Sequence, residues 1–164
     1  MSVVNLSTKL ENNQMQTHNP TIAELTELSL QLPERIPYLK MLVLFGSRAT
    51  GNIHANSDWD LAVLCDEEQR ETFTKNNTGR LFELPMLIGE VLKINPDHID
   101  IVELNHCSEL IAHFIARDGI MIFEQYPEEF KSFKENSLKS QSELKKFRQE
   151  QHRIIQIELN KWGA

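Results

Sequence analysis

Two short apolar runs on either side of a small-residue turn limit this chain to a fold with buried strands. Residues 41–45 are wholly apolar and rich in strand-forming side chains, which is typical of a strand buried on both faces. The run ends at Gly46 and Ser47, where we predict a tight turn that opens one or two helical turns. A second apolar run begins at Leu61, directly after Asp58 and Asp60. The sequence therefore predicts two strands whose connection carries polar groups.

The turn at Gly46 and Ser47 has the properties of a phosphate-binding loop. The first N–H groups of a helix have no acceptor within that helix, so they are available to phosphate oxygens. Ser47 adds a hydroxyl donor, and Gly46 has no Cβ that would keep a phosphate away from the backbone. We therefore expect these two residues to bind the phosphates of a nucleotide.

Asp58 and Asp60 lie two positions apart at the start of the second predicted strand. Side chains at i and i+2 of a strand point to the same face, about 7 Å apart at the backbone. Two carboxylates held this close repel each other unless a cation lies between them, and Mg²⁺ prefers such oxygen ligands. An isolated Asp-x-Asp pair is more often the solvated end of a loop, but the preceding Gly-Ser turn favours a metal site.

The spacing Gly46-Ser47, ten residues, Asp58-x-Asp60 resembles the signature of the polymerase-beta-type nucleotidyltransferase superfamily. The wider context over residues 41–64 and the short chain resemble the minimal nucleotidyltransferases, which are commonly the antitoxin partners of HEPN-domain ribonuclease toxins. This resemblance implies an α/β fold in which helices flank a small mixed β-sheet. It also implies ATP as the substrate, two bound Mg²⁺ ions, and a third carboxylate on a neighbouring strand.

Asp100 occupies the position at which the resemblance places this third carboxylate. Residues 98–104 alternate between apolar and polar side chains, which predicts a strand with Ile99, Ile101 and Val102 inward and Asp100 on the other face. Asp97 and Glu103 compete for the assignment, although Asp97 follows a proline and suits a turn or cap. In sites of this kind the first two aspartates bind both ions, and the third shares one ion and helps to deprotonate the attacking hydroxyl.

The resemblance also implies a reaction: transfer of AMP from ATP to a tyrosine hydroxyl of a HEPN toxin, which blocks the nuclease and makes this chain an antitoxin. A hetero-oligomer with the toxin is then expected. One alternative is a small-molecule nucleotidyltransferase of the aminoglycoside-modifying kind. Another is an antitoxin that neutralises its toxin by binding alone.

Five further residues near the motif have less specific expectations. Arg48 either pairs with a phosphate oxygen or braces a carboxylate. Ser57 is a candidate nucleotide-binding residue, which is also expected to cap or orient the loop before Asp58. Trp59 lies on the face opposite the aspartates, which favours packing over base stacking. His98 shows no metal-ligand pattern, so a surface position is expected for it, as for His54.

The chain divides into a loose N-terminal arm (residues 1–18), a nucleotidyltransferase domain (residues 19–126) and a C-terminal helical extension (residues 127–164). Asn19 and Pro20 are expected to open the first helix, and Pro33 to end it. Two further helices are predicted over residues 67–76 and 81–92, and a third runs from its cap at Ser108 to residue 117. A last strand is predicted over residues 120–123.

The extension has apolar residues at three- and four-residue spacings from Pro127 onwards, which predicts a long amphipathic helix. Asn136 and Ser137 are positions at which it would divide in two. Such a helix either docks a partner or a second copy of the chain, or closes over the core of its own chain. The sequence leaves both open.

Charge and composition narrow the class of partner. Residues 1–126 carry 9 Lys and Arg against 18 Asp and Glu, whereas residues 127–164 carry 8 against 6. An acidic body argues against direct nucleic-acid binding, which depends on phosphate neutralisation by basic residues. Residues 1–20 are polar and no apolar run reaches membrane-spanning length, so we expect a cytoplasmic protein, with Cys65 and Cys107 reduced.

Overall fold

The computed structural model describes residues 19–54, 57–75 and 83–162. Three predictions lie outside these ranges: the arm over residues 1–18, the break at residues 76–79 and the helix start at Leu81. None of the helices within the described ranges is both long and apolar enough to cross a membrane.

In the described part of the chain, four strands form one mixed sheet: β1 (Leu39–Leu44), β2 (Trp59–Cys65), β3 (Ile99–Glu103) and β4 (Ile120–Glu124). Their order across the sheet is β3-β2-β1-β4. β1 is antiparallel to both β2 and β4, and β2 is parallel to β3. A parallel pair needs a long crossover connection, which the chain between β2 and β3 provides. The predicted mixed sheet is confirmed.

Helices cover both faces of this sheet. On one face lie α1 (Ile22–Ser29), α2 (Leu32–Arg35) and α5 (Glu83–Leu92), and on the other lie α6 (Glu109–Asp118) and α7 (Glu129–Ser137). Two further helices, α3 (Gly46–Thr50) and α4 (Glu67–Thr74), follow β1 and β2. A 3₁₀ turn (Pro96–His98) precedes β3, and α8 (Gln141–Trp162) is the last described element.

The central strand β1 is buried on both sides. Leu42 and Leu44 pack into the larger apolar cluster with α1, α2 and α5. Met41 and Val43 pack into a second cluster with Ile115 of α6. This arrangement explains why the sequence of β1 is apolar without alternation, as the unbroken run predicts.

The same two-sided packing corrects one expectation for β3. Ile99 and Ile101 belong to the larger cluster, but Val102 packs into the second cluster on the opposite face. Strand residues alternate in direction, so Val102 shares the face of Asp100 and not that of Ile101. The expectation that Val102 points the same way as Ile101 is therefore wrong.

The first helix begins and ends at different residues from those predicted. Thr21 is its N-cap, since the Thr21 hydroxyl accepts from the Glu24 N–H at 3.2 Å and the Thr21 N–H donates to the Glu24 carboxylate at 2.7 Å. This capping box replaces the predicted start at Asn19 and Pro20. Pro33 does not terminate the helix, because α1 has already ended at Ser29 and Pro33 lies in the first turn of α2. A first-turn proline is tolerated because it has no N–H to leave unpaired.

The C-terminal extension forms two helices, and the break lies close to the predicted one. α7 begins at Glu129 and not at Pro127, and the chain leaves helical geometry at Leu138. The Lys139 N–H donates to Nδ1 of buried His113 at 3.0 Å, which fixes this linker against α6. Leu144 in the second turn of α8 is also buried.

The rest of α8 does not pack against the protein, since all residues from 148 to 161 are exposed. Four aliphatic side chains in this part are 44–59% exposed: Ile154, Ile155, Ile157 and Leu159. The start of the extension thus closes over its own chain, whereas the rest of α8 extends into solvent.

Candidate active site

The fold brings three carboxylates to one edge of the sheet. Asp60 in β2 lies directly beside Asp100 in β3 in the parallel register, and Asp58 immediately precedes β2. Paired residues on adjacent strands are about 4.8 Å apart and point to the same face. Asp100 is therefore the carboxylate across from Asp60, where the sequence predicted it.

These carboxylates influence one another electrostatically. Burial raises the pKa of the Asp60 carboxyl above its ordinary value of 3.8, the charges of Asp100 and Asp58 raise it further, and Arg48 lowers it. Desolvation and like charge both disfavour an ionised carboxyl, so the cluster is poised to gain from a bound cation.

Asp97 and Glu103 lie elsewhere. Asp97 is part of the 3₁₀ turn, where its N–H donates to the Asn95 side chain at 3.1 Å. Glu103 is at the far end of β3, opposite Val63, and its carboxylate accepts from both terminal nitrogens of Arg70 at 2.6 and 3.1 Å. A paired carboxylate at the other end of the strand does not reach Asp60, which leaves Asp100 in the cluster.

Gly46 lies directly against Asp60. The Phe45 N–H donates to the Asp60 carbonyl at 2.9 Å, so the end of β1 is held beside the start of β2. Gly46 has a φ of +70°, and a Cβ built on it would lie 2.1 Å from Oδ2 of Asp60. From the sequence, we expect Gly46 to give a phosphate access to the backbone. The structure gives a second reason for the absence of a Cβ at this position, which is the contact with the carboxylate of Asp60.

The predicted turn after β1 is confirmed as a short helix. α3 spans Gly46–Thr50 and is ended by Gly51, whose φ is +84°. Ser47 is in its first turn and is half-buried. The N–H groups at this end have no acceptor inside the helix, so they are available as donors for an anion.

Arg48 contacts backbone rather than the carboxylates. Its Nε donates to the carbonyls of Ser57 and Asp58, both at 3.1 Å, and Nη2 donates to the Ser57 carbonyl at 2.6 Å. Its guanidinium carbon lies 4.0 Å from the ring centre of Trp59, which is buried in the core as predicted. Arg48 thus braces the backbone before Asp60, and not a carboxylate as one of the two expectations had it, while its pairing with a phosphate oxygen stays a prediction.

Ser57 orients the same loop. Its hydroxyl oxygen accepts from the His54 N–H at 2.8 Å, and its own N–H donates to the His54 carbonyl at 3.0 Å. Both groups of Ser57 are thus committed to the loop that delivers Asp58 to the sheet.

His98 is a site neighbour that sequence reasoning missed. Its Nδ1 lies 3.2 Å from Oδ1 of Asp58. The parallel register that pairs Trp59 with Ile99 places residues 58 and 98 side by side one position earlier. His98 lies two residues before Asp100, but only the strand pairing could reveal the contact with Asp58.

The donor set fits Mg²⁺ that is held jointly with a nucleotide. Within the described ranges, no group of three or more His, Cys, Asp or Glu side chains closes around a single metal position. Mg²⁺ in nucleotide enzymes is usually bound through one or two carboxylates together with substrate phosphates and water. Asp58, Asp60 and Asp100 provide carboxylates of this kind beside the N-terminus of α3.

Comparison with known proteins decides the family. Residues 31–128 match the sequence profile of the family described as "Polymerase beta, Nucleotidyltransferase", which is more than half of the chain. The chain belongs to the polymerase beta nucleotidyltransferase family. This nucleotidyltransferase is 57% identical over 150 residues to the protein adenylyltransferase MntA of Aphanizomenon flos-aquae, an alignment that covers 92% of the chain and 100% of that relative.

Two solved structures with the same fold are described as toxin–antitoxin complexes. One is a toxin–antitoxin complex with AMP-PNP (TM-score 0.54, 22% identity, covering 85% of this nucleotidyltransferase and 99% of that chain). Another is a tri-AMPylated HEPN toxin of Shewanella oneidensis in complex with an MNT antitoxin (TM-score 0.50, 19% identity, covering 84% and 97%). At these identities the likeness establishes the polymerase-beta-like fold.

Proposed function

We propose that this nucleotidyltransferase transfers AMP from ATP to a tyrosine hydroxyl of a cognate HEPN ribonuclease toxin and thereby blocks the toxin's nuclease activity. The observation that carries the proposal is the pairing of Asp60 with Asp100 beside the Gly46–Ser47 turn, with Asp58 two residues before Asp60. The full-length relative named as a protein adenylyltransferase supports AMP as the transferred group and a protein as the acceptor. The AMPylated toxin in the structure from Shewanella oneidensis supports a HEPN acceptor.

The start of α3 and the three aspartates have separate roles in the proposed reaction. The N–H groups at the start of α3 and the Ser47 hydroxyl hold the triphosphate, and the carboxylates of Asp58, Asp60 and Asp100 hold two Mg²⁺ ions. When bound, Mg²⁺ neutralises the charge that develops on the phosphate oxygens.

Asp100 accepts the proton of the acceptor hydroxyl, as its place beside Asp60 permits. The hydroxyl oxygen then forms a bond to the α-phosphorus, the bond from that phosphorus to the bridging oxygen breaks, and pyrophosphate leaves in line. This chain's own contribution is mainly to position the reactants and to place fixed charges around them.

The proposal assigns catalysis to residues 19–126 and leaves residues 127–164 as an extension, and the family match over residues 31–128 supports this division. Because ATP and the toxin's RNA substrates are cytoplasmic, the enzyme is proposed to act in the cytoplasm and in a hetero-oligomer with the toxin.

The deciding experiment is intact mass measurement of the toxin after incubation with this protein, ATP and Mg²⁺. The expected result is a gain of one or more AMP groups, which Asp58→Asn or Asp60→Asn abolishes. Glu103→Gln is the matched control, because it removes a carboxylate from the same sheet but outside the cluster. No gain of AMP with the unaltered protein would refute the proposal.

The same variants separate the two alternatives. If Asp58→Asn and Asp60→Asn still neutralise the toxin fully, the protein acts by binding alone. If AMP is transferred to an antibiotic without any protein acceptor, the protein is a small-molecule nucleotidyltransferase.

A further inference from the structure

The guanidinium of Arg48 joins three parts of the chain beside the carboxylate cluster. It donates to the carbonyls of Ser57 and Asp58 at 2.6–3.1 Å, and its Nη1 donates to the Asn19 side chain at 2.7 Å. Its flat face lies over Trp59 at 4.0 Å. A planar group held at its edges by hydrogen bonds and at its face by a ring has one orientation.

The contact with Trp59 ties this group to the core. Trp59 is 6% exposed and belongs to the larger apolar cluster, whereas Asp58 is exposed and precedes the first residue of β2. Asp58 therefore lacks the ladder pairing that fixes Asp60 in the sheet. The hydrogen bonds from Arg48 to the carbonyls of residues 57 and 58 provide the fixation that the ladder does not.

We infer that Arg48 is a positioning residue that holds the backbone at Asp58, and so holds the Asp58 carboxylate in register with Asp60 and Asp100. This inference rests on the proposed function and assigns Arg48 a role other than phosphate binding. A metal-binding carboxylate that shifts by about 1 Å can cost about a hundredfold in rate, so a brace at the preceding carbonyls has a large effect on catalysis.

The two roles of Arg48 predict different kinetics. Lysine keeps the charge and is itself a common phosphate ligand, but it cannot donate simultaneously to two carbonyls and stack on a ring. If Arg48 braces the loop, Arg48→Lys lowers kcat and leaves the KM for ATP nearly unchanged. If Arg48 binds phosphate, Arg48→Lys keeps most of the activity and Arg48→Gln raises the KM for ATP.

The test compares Arg48→Lys, Arg48→Gln and Asn19→Ala with the unaltered protein. The Asn19 variant removes one acceptor of the guanidinium and leaves the carbonyl contacts, so it is a milder form of the same change. Arg35→Lys is the matched control, since Arg35 pairs with Glu90 on the surface and belongs to α2. Circular dichroism and thermal melting establish that each variant is folded.

Two measurements are made on each variant: kcat and KM for ATP in AMP transfer, and hydrogen–deuterium exchange of peptides that contain residues 57–60. The brace predicts a fall in kcat of about 10- to 100-fold for both Arg48 variants, a smaller fall for Asn19→Ala, and faster exchange in these peptides. Unchanged exchange in Arg48→Lys overturns the inference, as does retained kcat. The exchange measurement needs no substrate, so it tests the brace even if AMP transfer itself is absent and the proposed function fails.

Discussion

Replacing Gly46 with alanine tests whether the close contact between the α3 turn and Asp60 is essential to the site. The new Cβ would lie 2.1 Å from Oδ2, 2.8 Å from Cγ and 3.1 Å from Cβ of Asp60. Relief of the shortest contact, from 2.1 Å to the 3.4 Å of an ordinary contact, requires Asp60 or the turn to move by about 1.3 Å. The change therefore displaces a carboxylate that is proposed to bind metal.

Two separate costs follow from this substitution. Alanine at a φ of +70° is strained by about 1–3 kcal/mol, which lowers the free energy of unfolding. The displacement of Asp60 by about 1 Å acts on catalysis, with an expected loss of about a hundredfold in AMP transfer. The protein should thus remain folded and become nearly inactive.

Gly51→Ala is a matched control for the first cost. Gly51 has a similar φ of +84°, but a Cβ on it meets nothing within 4 Å. Urea denaturation should show a lower free energy of unfolding for both variants, with a larger loss for Gly46→Ala because of its contact with Asp60, whereas only Gly46→Ala should lose AMP transfer. Equal activities of the two variants would show that the contact with Asp60 does not matter, and the reasoning would then be wrong.

Three further outcomes are expected. The raised pKa of Asp60 means that its charged form disfavours the folded state, so Asp60→Asn should be at least as stable as the unaltered protein near neutral pH. Acidification through the pKa of Asp60 protonates its carboxyl and removes this penalty. The difference in the free energy of unfolding between Asp60→Asn and the unaltered protein, measured by chemical denaturation, should therefore narrow as the pH falls. Asp100→Asn should abolish AMP transfer in the mass assay, whereas Glu103→Gln should keep it. If only Glu103→Gln abolished transfer, Glu103 and not Asp100 would be the third carboxylate of the site. The Arg70 guanidinium lowers the pKa of Glu103, so this ion pair stabilises the fold at neutral pH and the stabilisation is lost on acidification. Glu103→Gln should lower the free energy of unfolding in urea by about 0.5–1 kcal/mol, and no measurable decrease would show that the pair does not stabilise the fold.

Much of the fold follows from local sequence patterns. The unbroken apolar run of β1 predicts burial on both faces because no polar side chain restricts either one, and the structure has this burial. The Ser108 cap is confirmed, since its hydroxyl accepts from the Ile111 N–H. The start of α1 was misplaced because two sequence signals compete there, Asn19-Pro20 and the capping box of Thr21, and the capping box satisfies two backbone donors at once.

In the site, too, the features set by neighbouring residues could be predicted from the sequence, whereas contacts between residues that are distant in the chain could not. The roles of Gly46, Ser47, Asp58, Asp60 and Asp100 remain predictions. The first four could be grouped from their spacing and from strand alternation, whereas the place of Asp100 beside them was implied by the resemblance to the nucleotidyltransferases. The contact between His98 and Asp58 could not be predicted, because it joins residues 40 positions apart through the parallel register. The brace by Arg48 was left open for the same reason, since its acceptors lie on a loop and at Asn19.

By itself, the sequence determined most of the elements and which residues are charged or are candidates for phosphate binding, since turns, caps and apolar periodicity act over a few neighbouring residues. Only the tertiary structure decided how these groups meet. Strand register places Asp100 and not Glu103 beside Asp60, and the approach of β1 to β2 requires a glycine at residue 46. It also decided that α8 packs at its start and is exposed beyond residue 147, because burial depends on which surfaces lie opposite a helix and not on the helix's own sequence.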